Sequence, residues 1–372
     1  MSESVSGNPI RVCQFVGNMV GGGVEAVVMT LYRHIDRSCM QFDFVVTDAS
    51  SVVPRDEVES LGGSVYTVPT YTRLPDFKRT SYELFRAHPE WRIVHAHMNS
   101  LSVFPLHQAE RAGVPVRIAH SHSASGRGEF LRNTAKNILR TQANRYPTLR
   151  MACTEHAGRW LFGKAPFEVL PNPIDFSRFT FNSRAREEMR AAWSVPENAL
   201  VIGHVGRWSP PKNQIFLLRV LKELLEAGTD AWLALVGDGP DRPAIEAGCL
   251  GVDGRVVAPG YMDAARAYSA FDIFCFPSRY EGLGMAPMEA QAAGLPCVVS
   301  DAVPTEVDLT AHVRFLPLGD AQAWADAVMD MAERVADRRV DLAAKPFRKH
   351  GADEIAARLC KRYLQLDEGV AR

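Results

Sequence analysis

The 372-residue chain has no apolar run long enough to cross a bilayer, no closely spaced cysteine pair and almost no net charge. A spanning helix needs about 20 apolar residues in succession, so any membrane contact is expected to be peripheral. The seven cysteines (Cys13, Cys39, Cys153, Cys249, Cys275, Cys297, Cys360) include no CxxC pair and several fall in apolar runs. That usage fits buried reduced thiols and a cytoplasmic compartment. The polar start MSESVSGNP lacks the apolar stretch of a secretory signal. A formal charge of −1 supplies no global field for nucleic acid, and no nucleic-acid partner is expected. The dinucleotide fingerprint GxGxxG is missing, as is any Asp-x-Asp pair of the kind that grips a diphosphate through a metal ion. No metal and no cofactor are therefore expected.

What remains is a globular composition, 47% hydrophobic and 23% charged, in a chain long enough for two cores. Charge is uneven within it. Between residues 111 and 164, Arg111, Arg117, Arg127, Arg132, Lys136, Arg140, Arg145, Arg150, Arg159 and Lys164 face only Glu129 and Glu155. Arg132, Lys136 and Arg140 are spaced by four, which on a helix makes one basic stripe. The stripe suits anionic lipid headgroups or a phosphorylated acceptor; an ordinary solvated face is the plainer alternative.

Apolar runs alternate with segments of helical period. IRVCQFV (10–16), FDFVV (42–46), SVYTV (64–68), RIVHAH (92–97) and VRIAHSH (116–122) read as strands of a first half closed by MACT (151–154). After the turn-rich LPNPID (170–175) the pattern restarts with LVIGHVG (200–206), WLALVG (232–237), RVVAPG (255–260), FDIFCF (271–276), PCVVS (296–300) and VRFLPL (313–318). Strands separated by helices imply βαβ units and parallel sheets. The expected class is α/β, with two Rossmann-like doubly wound domains over 1–172 and 173–350. A last helical stretch, 351–372, is expected to cross back onto the first domain.

The densest chemistry lies in PSRYEGLGMAPMEAQAAGLPCVVSD (277–301). Glu281 and Glu289 stand eight positions apart across a loop broken by Gly282 and Gly284, and Pro287 suits the first turn of the helix that follows. Carboxylates accept hydrogen bonds from hydroxyl-rich ligands, and the start of a helix favours an anion. Two solvated glutamates are the bland alternative. In GHVGRWSPPKNQ (203–214), Arg207 and Lys212 precede a helix start, where cations are poor dipole partners unless a diphosphate lies between them. GNMVGGGVE places Gly21, Gly22 and Gly23 directly after the first strand, where glycine admits close approach of a ligand; a plain tight turn reads equally well. Asp48 keeps a nicotinamide-binding alternative open. Two HxH pairs, His95 with His97 and His120 with His122, each share a sheet face and could ligate zinc, or bind a sugar hydroxyl as neutral imidazoles.

Together, GGGVE (21–25), AHSHS (119–123), LPNPID (170–175), GHVGRWSPPKNQ (203–214), LVGDGP (235–240) and the Glu281/Glu289 segment resemble the family 4 retaining glycosyltransferases of GT-B fold, in the exopolysaccharide and capsule branch. The resemblance runs from about residue 10 to 318. It implies a donor diphosphate held by Arg207 and Lys212, ribose by Glu289 and the transferred sugar by Glu281, within the loop Glu281, Gly282, Leu283, Gly284. It also implies phosphate approach at Gly22 and Gly23 and His122 near the reacting centre, with retention of configuration and no metal. The two domains are expected to face each other across a cleft. The loop reads EGLGM where many relatives carry EGLP, which leaves the donor sugar open, with UDP-sugars favoured. The expected partners are a nucleotide-sugar donor, a polyprenyl-linked or other glycan acceptor, and an anionic membrane surface at Arg132, Lys136 and Arg140. A nicotinamide oxidoreductase and a silent nucleotide-sugar sensor are the alternatives.

Overall fold

The computed structural model describes residues 9–122, 139–252, 254–334 and 338–371. They form two compact units, Met1–Ile174 with Lys349–Arg372, and Asp175–Arg348. In the first unit lie β1 (Ile10–Gly17), β2 (Met40–Thr47), β3 (Val65–Val68), β4 (Ile93–Ala96), β5 (Val116–Ser121), β6 (Leu149–Ala152) and β7 (Glu168–Val169). All pair in parallel, in the order β3-β2-β1-β4-β5-β6-β7. A parallel sheet covered on both faces needs continuous apolar strands, and Val12 through Val16 is buried throughout, with Gln14 the single polar member.

The two-residue β7 was not expected. It is too short to carry a periodic signature, and tertiary contacts mark its place: Met151 registers with Glu168, and Arg362 pairs with the Glu168 carboxylate at 2.6 Å.

The second unit holds β8 (Leu200–Val205), β9 (Ala231–Val236), β10 (Val256–Gly260), β11 (Ile273–Phe276), β12 (Cys297–Ser300) and β13 (Val313–Leu316), again parallel, in the order β10-β9-β8-β11-β12-β13. Its core packs the helix Ile215–Glu226 against the helix Ala321–Arg334, where Phe216 meets Trp324 edge to face at 5.3 Å. The terminal helix Ala352–Ala371 belongs to the first unit. Its Tyr363 is fully buried against Phe42, and Arg92 holds Asp367 at 3.2 Å.

Strand order reverses between β1 and β4 in one sheet and between β8 and β11 in the other. At such a switch point the flanking loops diverge and leave a crevice at the carboxyl ends of the strands. The sequence motifs fall on these loops: the glycines follow β1, His97 follows β4, Arg207 and Lys212 follow β8, and Glu281 follows β11.

Candidate active site

In the second unit the loop after β8 is anchored from below. Burial drives the His204 imidazole down to about 4, so it is neutral, and its Nδ1–H donates to the Cys275 carbonyl at 2.9 Å. The bare Nε2 then accepts from the Gln214 amide at 3.2 Å, and the same amide donates to the Arg207 carbonyl at 2.9 Å. A second loop, after β9, closes on the first backbone to backbone. A Cβ on Gly237 would stand 2.1 Å from the Gly206 oxygen, and one on Gly239 2.1 Å from the Trp208 oxygen. Only glycine permits that approach, which is why LVGDGP carries both.

Lys212 and Glu281, from the loops after β8 and β11, form an ion pair at 2.5 Å, with the ammonium also 4.8 Å above the Phe276 ring. Arg207 is exposed, and its guanidinium has no partner among the described residues. Arg279 donates to Asn213 at 3.0 Å, and its own N–H donates to the Pro211 carbonyl at 2.7 Å, stitching the two loops together. Asn213 adopts the left-handed region at φ 56°, a conformation its short polar side chain tolerates.

Beyond Glu281 the chain turns on Gly284, at φ 88°, into the helix Met285–Ala292, with Pro287 in its first turn. Leu283 points inward and is buried. Glu289 accepts from the Tyr268 hydroxyl at 2.9 Å, and burial raises its carboxyl above the ordinary range. Neither glutamate is a freely solvated surface charge, so the bland alternative fails at both positions.

In the first unit, Gly21 (φ 81°) and Gly22 lead into the helix Gly23–His34. Gly22 and Gly23 line a cavity of about 250 Å³ with Asn18, His97 and Asn99. The open anion seat expected there is partly filled by the protein itself. Glu25, three residues beyond Gly22, accepts from the Val20 N–H at 2.7 Å and from the Gly22 N–H, the carboxylate half of a capping box whose N-cap glycine has no side chain to return the bond. The Asp48 carboxylate takes the Thr70 N–H at 2.8 Å and pairs with Arg73, contacts within the fold that account for its place without a ribose.

The four HxH histidines come together on one face of β4 and β5, stacked with centroids 4.2 Å apart for His95 and His97 and 4.1 Å for His120 and His122. His95, His97 and His120 bring ring nitrogens within 4.8 Å of one another. Their planes are close to parallel, 9° between His95 and His120 and 28° between His95 and His97. The third pair, His97 and His120, is tilted by 36°, and an ion among the three would have to displace their bonds to Tyr363, to Gln14 and between His95 and His120. Burial holds all four neutral, His122 at about 4 with Asn172 acting in the opposite direction. Asn99, at φ 50°, accepts the His122 N–H at 2.9 Å and fixes the end of β5.

Arg132 and Lys136 of the basic stripe lie outside the described residues. Arg140 lies within them and stacks over Trp160 at 5.8 Å. No described helix is long and apolar enough to cross a membrane.

Sequence reasoning missed Glu25, Asn99, Tyr268 and Arg279. Only Glu25 left a local signal, as a carboxylate three residues beyond the glycine it caps.

Residues 22–173 match the glycosyl transferase 4-like domain, and residues 199–334 match the glycosyl transferases group 1 family. EpsF of Bacillus subtilis, a glycosyltransferase by name, is 36% identical over 340 residues, covering 86% of each chain. The Escherichia coli UDP-Gal:alpha-D-GlcNAc-diphosphoundecaprenol alpha-1,3-galactosyltransferase is 26% identical over 63% of this chain and 66% of its own. Among solved structures, Anabaena HepE in complex with UDP-glucose superposes with a TM-score of 0.73 at 19% identity, over 96% of this chain and 99% of that one.

Proposed function

The chain belongs to the group 1, 4-like glycosyl transferases, and on that footing we propose that it moves a sugar, with retention of configuration, from a UDP-sugar to a lipid-linked or glycan acceptor in surface-polysaccharide assembly. One observation carries the reading: Lys212 and Glu281, 69 residues apart, are paired at the β8/β11 switch point beside Arg207, whose guanidinium has no partner among the described residues. UDP appears with the HepE neighbour, and a diphosphoundecaprenol acceptor in the name of the galactosyltransferase relative.

The pair keeps a cation and a carboxylate in place until the donor separates them. Lys212 then turns to the diphosphate with Arg207, whose planar fork grips two phosphate oxygens. Glu281 is released to accept from hydroxyls of the transferred sugar, and Glu289 takes those of the ribose. Gly22 and Gly23 admit the phosphates to the first unit, with the Gly22 N–H shared between Glu25 and the ligand. As the glycosidic bond breaks, charge grows on the diphosphate, so fixed cations favour the transition state over the ground state. They supply the neutralisation that a divalent ion would otherwise give, and no metal is invoked. His122 accepts a hydroxyl hydrogen bond near the reacting centre. A cytoplasmic enzyme resting on the inner membrane face through Arg132, Lys136 and Arg140 completes the reading.

The test is incubation with a panel of UDP-, GDP- and ADP-sugars, following transfer and slow hydrolysis. UDP-sugars should turn over, and Arg207→Ala with Lys212→Ala should reduce kcat/KM by roughly 10²–10³ or more with the fold intact by circular dichroism. Wild-type turnover in the double variant refutes the assignment.

A further inference from the structure

Four imidazoles, one amide and one phenol, all buried, form a single hydrogen-bond chain in the first unit. From one end, His122 Nε2 meets His97 Nδ1 at 2.8 Å, and His97 Nε2 meets the Gln14 Oε1 at 2.8 Å. The Gln14 amide nitrogen donates to the Tyr363 hydroxyl at 3.2 Å, which meets His95 Nδ1 at 2.5 Å. His95 Nε2 then meets His120 Nδ1 at 3.0 Å. The termini are the buried His122 Nδ1 and His120 Nε2, with the Asn172 amide beside His122, where it opposes the effect of burial.

We propose that Gln14 and Tyr363 are positioning residues that hold all four imidazoles in one common neutral tautomer, set by the orientation of the Gln14 amide, so that His122 presents its Nδ1 in a single protonation state. The order follows from the amide. Its oxygen can only accept, so His97 carries its proton on Nε2, its Nδ1 is bare, and His122 must donate from Nε2. Its nitrogen can only donate, so the Tyr363 hydroxyl is left to donate to His95 Nδ1. His95 therefore donates from Nε2 to a bare His120 Nδ1. Turning the amide over would move every proton to Nδ1 in all four rings; no mixed order keeps each bond intact. Burial excludes the charged forms that would break the rule, since an imidazolium donates from both nitrogens. Tyr363 stands on the terminal helix Ala352–Ala371, so that helix reaches the β-strand histidines through one hydroxyl.

The tautomer itself is independent of the transfer reaction, and only its kinetic consequence rests on the reading that His122 meets the substrate. In full-length protein labelled with ring-¹⁵N histidine, long-range ¹H–¹⁵N spectra separate protonated from bare ring nitrogens. His95, His97, His120 and His122 should all carry the proton on the same ring nitrogen, Nε2 for the amide orientation described; a mixed set overturns the proposal. Tyr363→Phe removes only the hydroxyl and Gln14→Met only the amide. Each should leave His122 in both tautomers and reduce kcat roughly two- to tenfold, the worth of one hydrogen bond, with KM for the donor unchanged. A single unchanged His122 tautomer in both folded variants refutes the wire. Mixed tautomers with wild-type turnover support the wire and remove His122 from the reacting centre.

Discussion

Tyr268 and Glu289 show how one buried contact changes what a side chain can do. The carboxylate sits in the helix Met285–Ala292 with a single phenol donor at 2.9 Å, and burial already favours its neutral form. Tyr268→Phe should leave it without that donor, raise the KM for the nucleotide sugar and lower stability by about 1–3 kcal/mol, read by donor titration and urea melts. The buried histidines give a second prediction. His122 and His204 have folded values near 4, below their unfolded value, so the unfolded chain binds more protons between the two. Their contribution to stability is complete above about 6.5 and is lost as pH falls through about 4. Thermal melts from pH 8 to pH 4 should therefore show Tm falling below pH 6.5, and a flat profile would contradict the burial. Arg207, Lys212 and Glu281 stood out as candidates because each misfits its local element, cations before a helix start and a carboxylate in a glycine-broken turn, and Glu289 by its place in the helix that follows. Tyr268, Gln14 and Tyr363 were not, because their partners are 21, 83 and 268 residues away in sequence.

At the level of elements, apolar run and turn placed both sheets, since strands buried on two faces can hide nothing polar without a partner. The short β7 escaped because two residues have no period. The glycine-rich loops were visible as glycine, but their use was only half visible. Gly237 and Gly239 also serve backbone contact with Gly206 and Trp208. Gly239→Ala should push the Trp208 backbone away and cost about 1–3 kcal/mol, with weaker donor binding as the Arg207 loop shifts. An unchanged midpoint in denaturant would deny that contact. At the other loop, Glu25→Ala should remove the cap on the helix Gly23–His34 and destabilise by about 0.5–2 kcal/mol.

Across the whole molecule, a chain of near-zero net charge keeps its functional charge local, in loops at the carboxyl edge of each sheet. The terminal helix is part of the first unit's core rather than a tail, since Tyr363 and Leu359 are buried in it and Arg362 anchors β7. In the proposed function, Arg207 and Lys212 clamp a nucleotide diphosphate while Glu281 attends to the sugar. Calorimetry with free UDP tests it most directly. Binding to Arg207→Ala with Lys212→Ala should weaken at least a hundredfold, whereas Glu281→Gln should bind UDP about as well as the wild type, because free UDP carries no sugar for that carboxylate to hold. Equal affinity in the wild type and the double variant would refute the clamp.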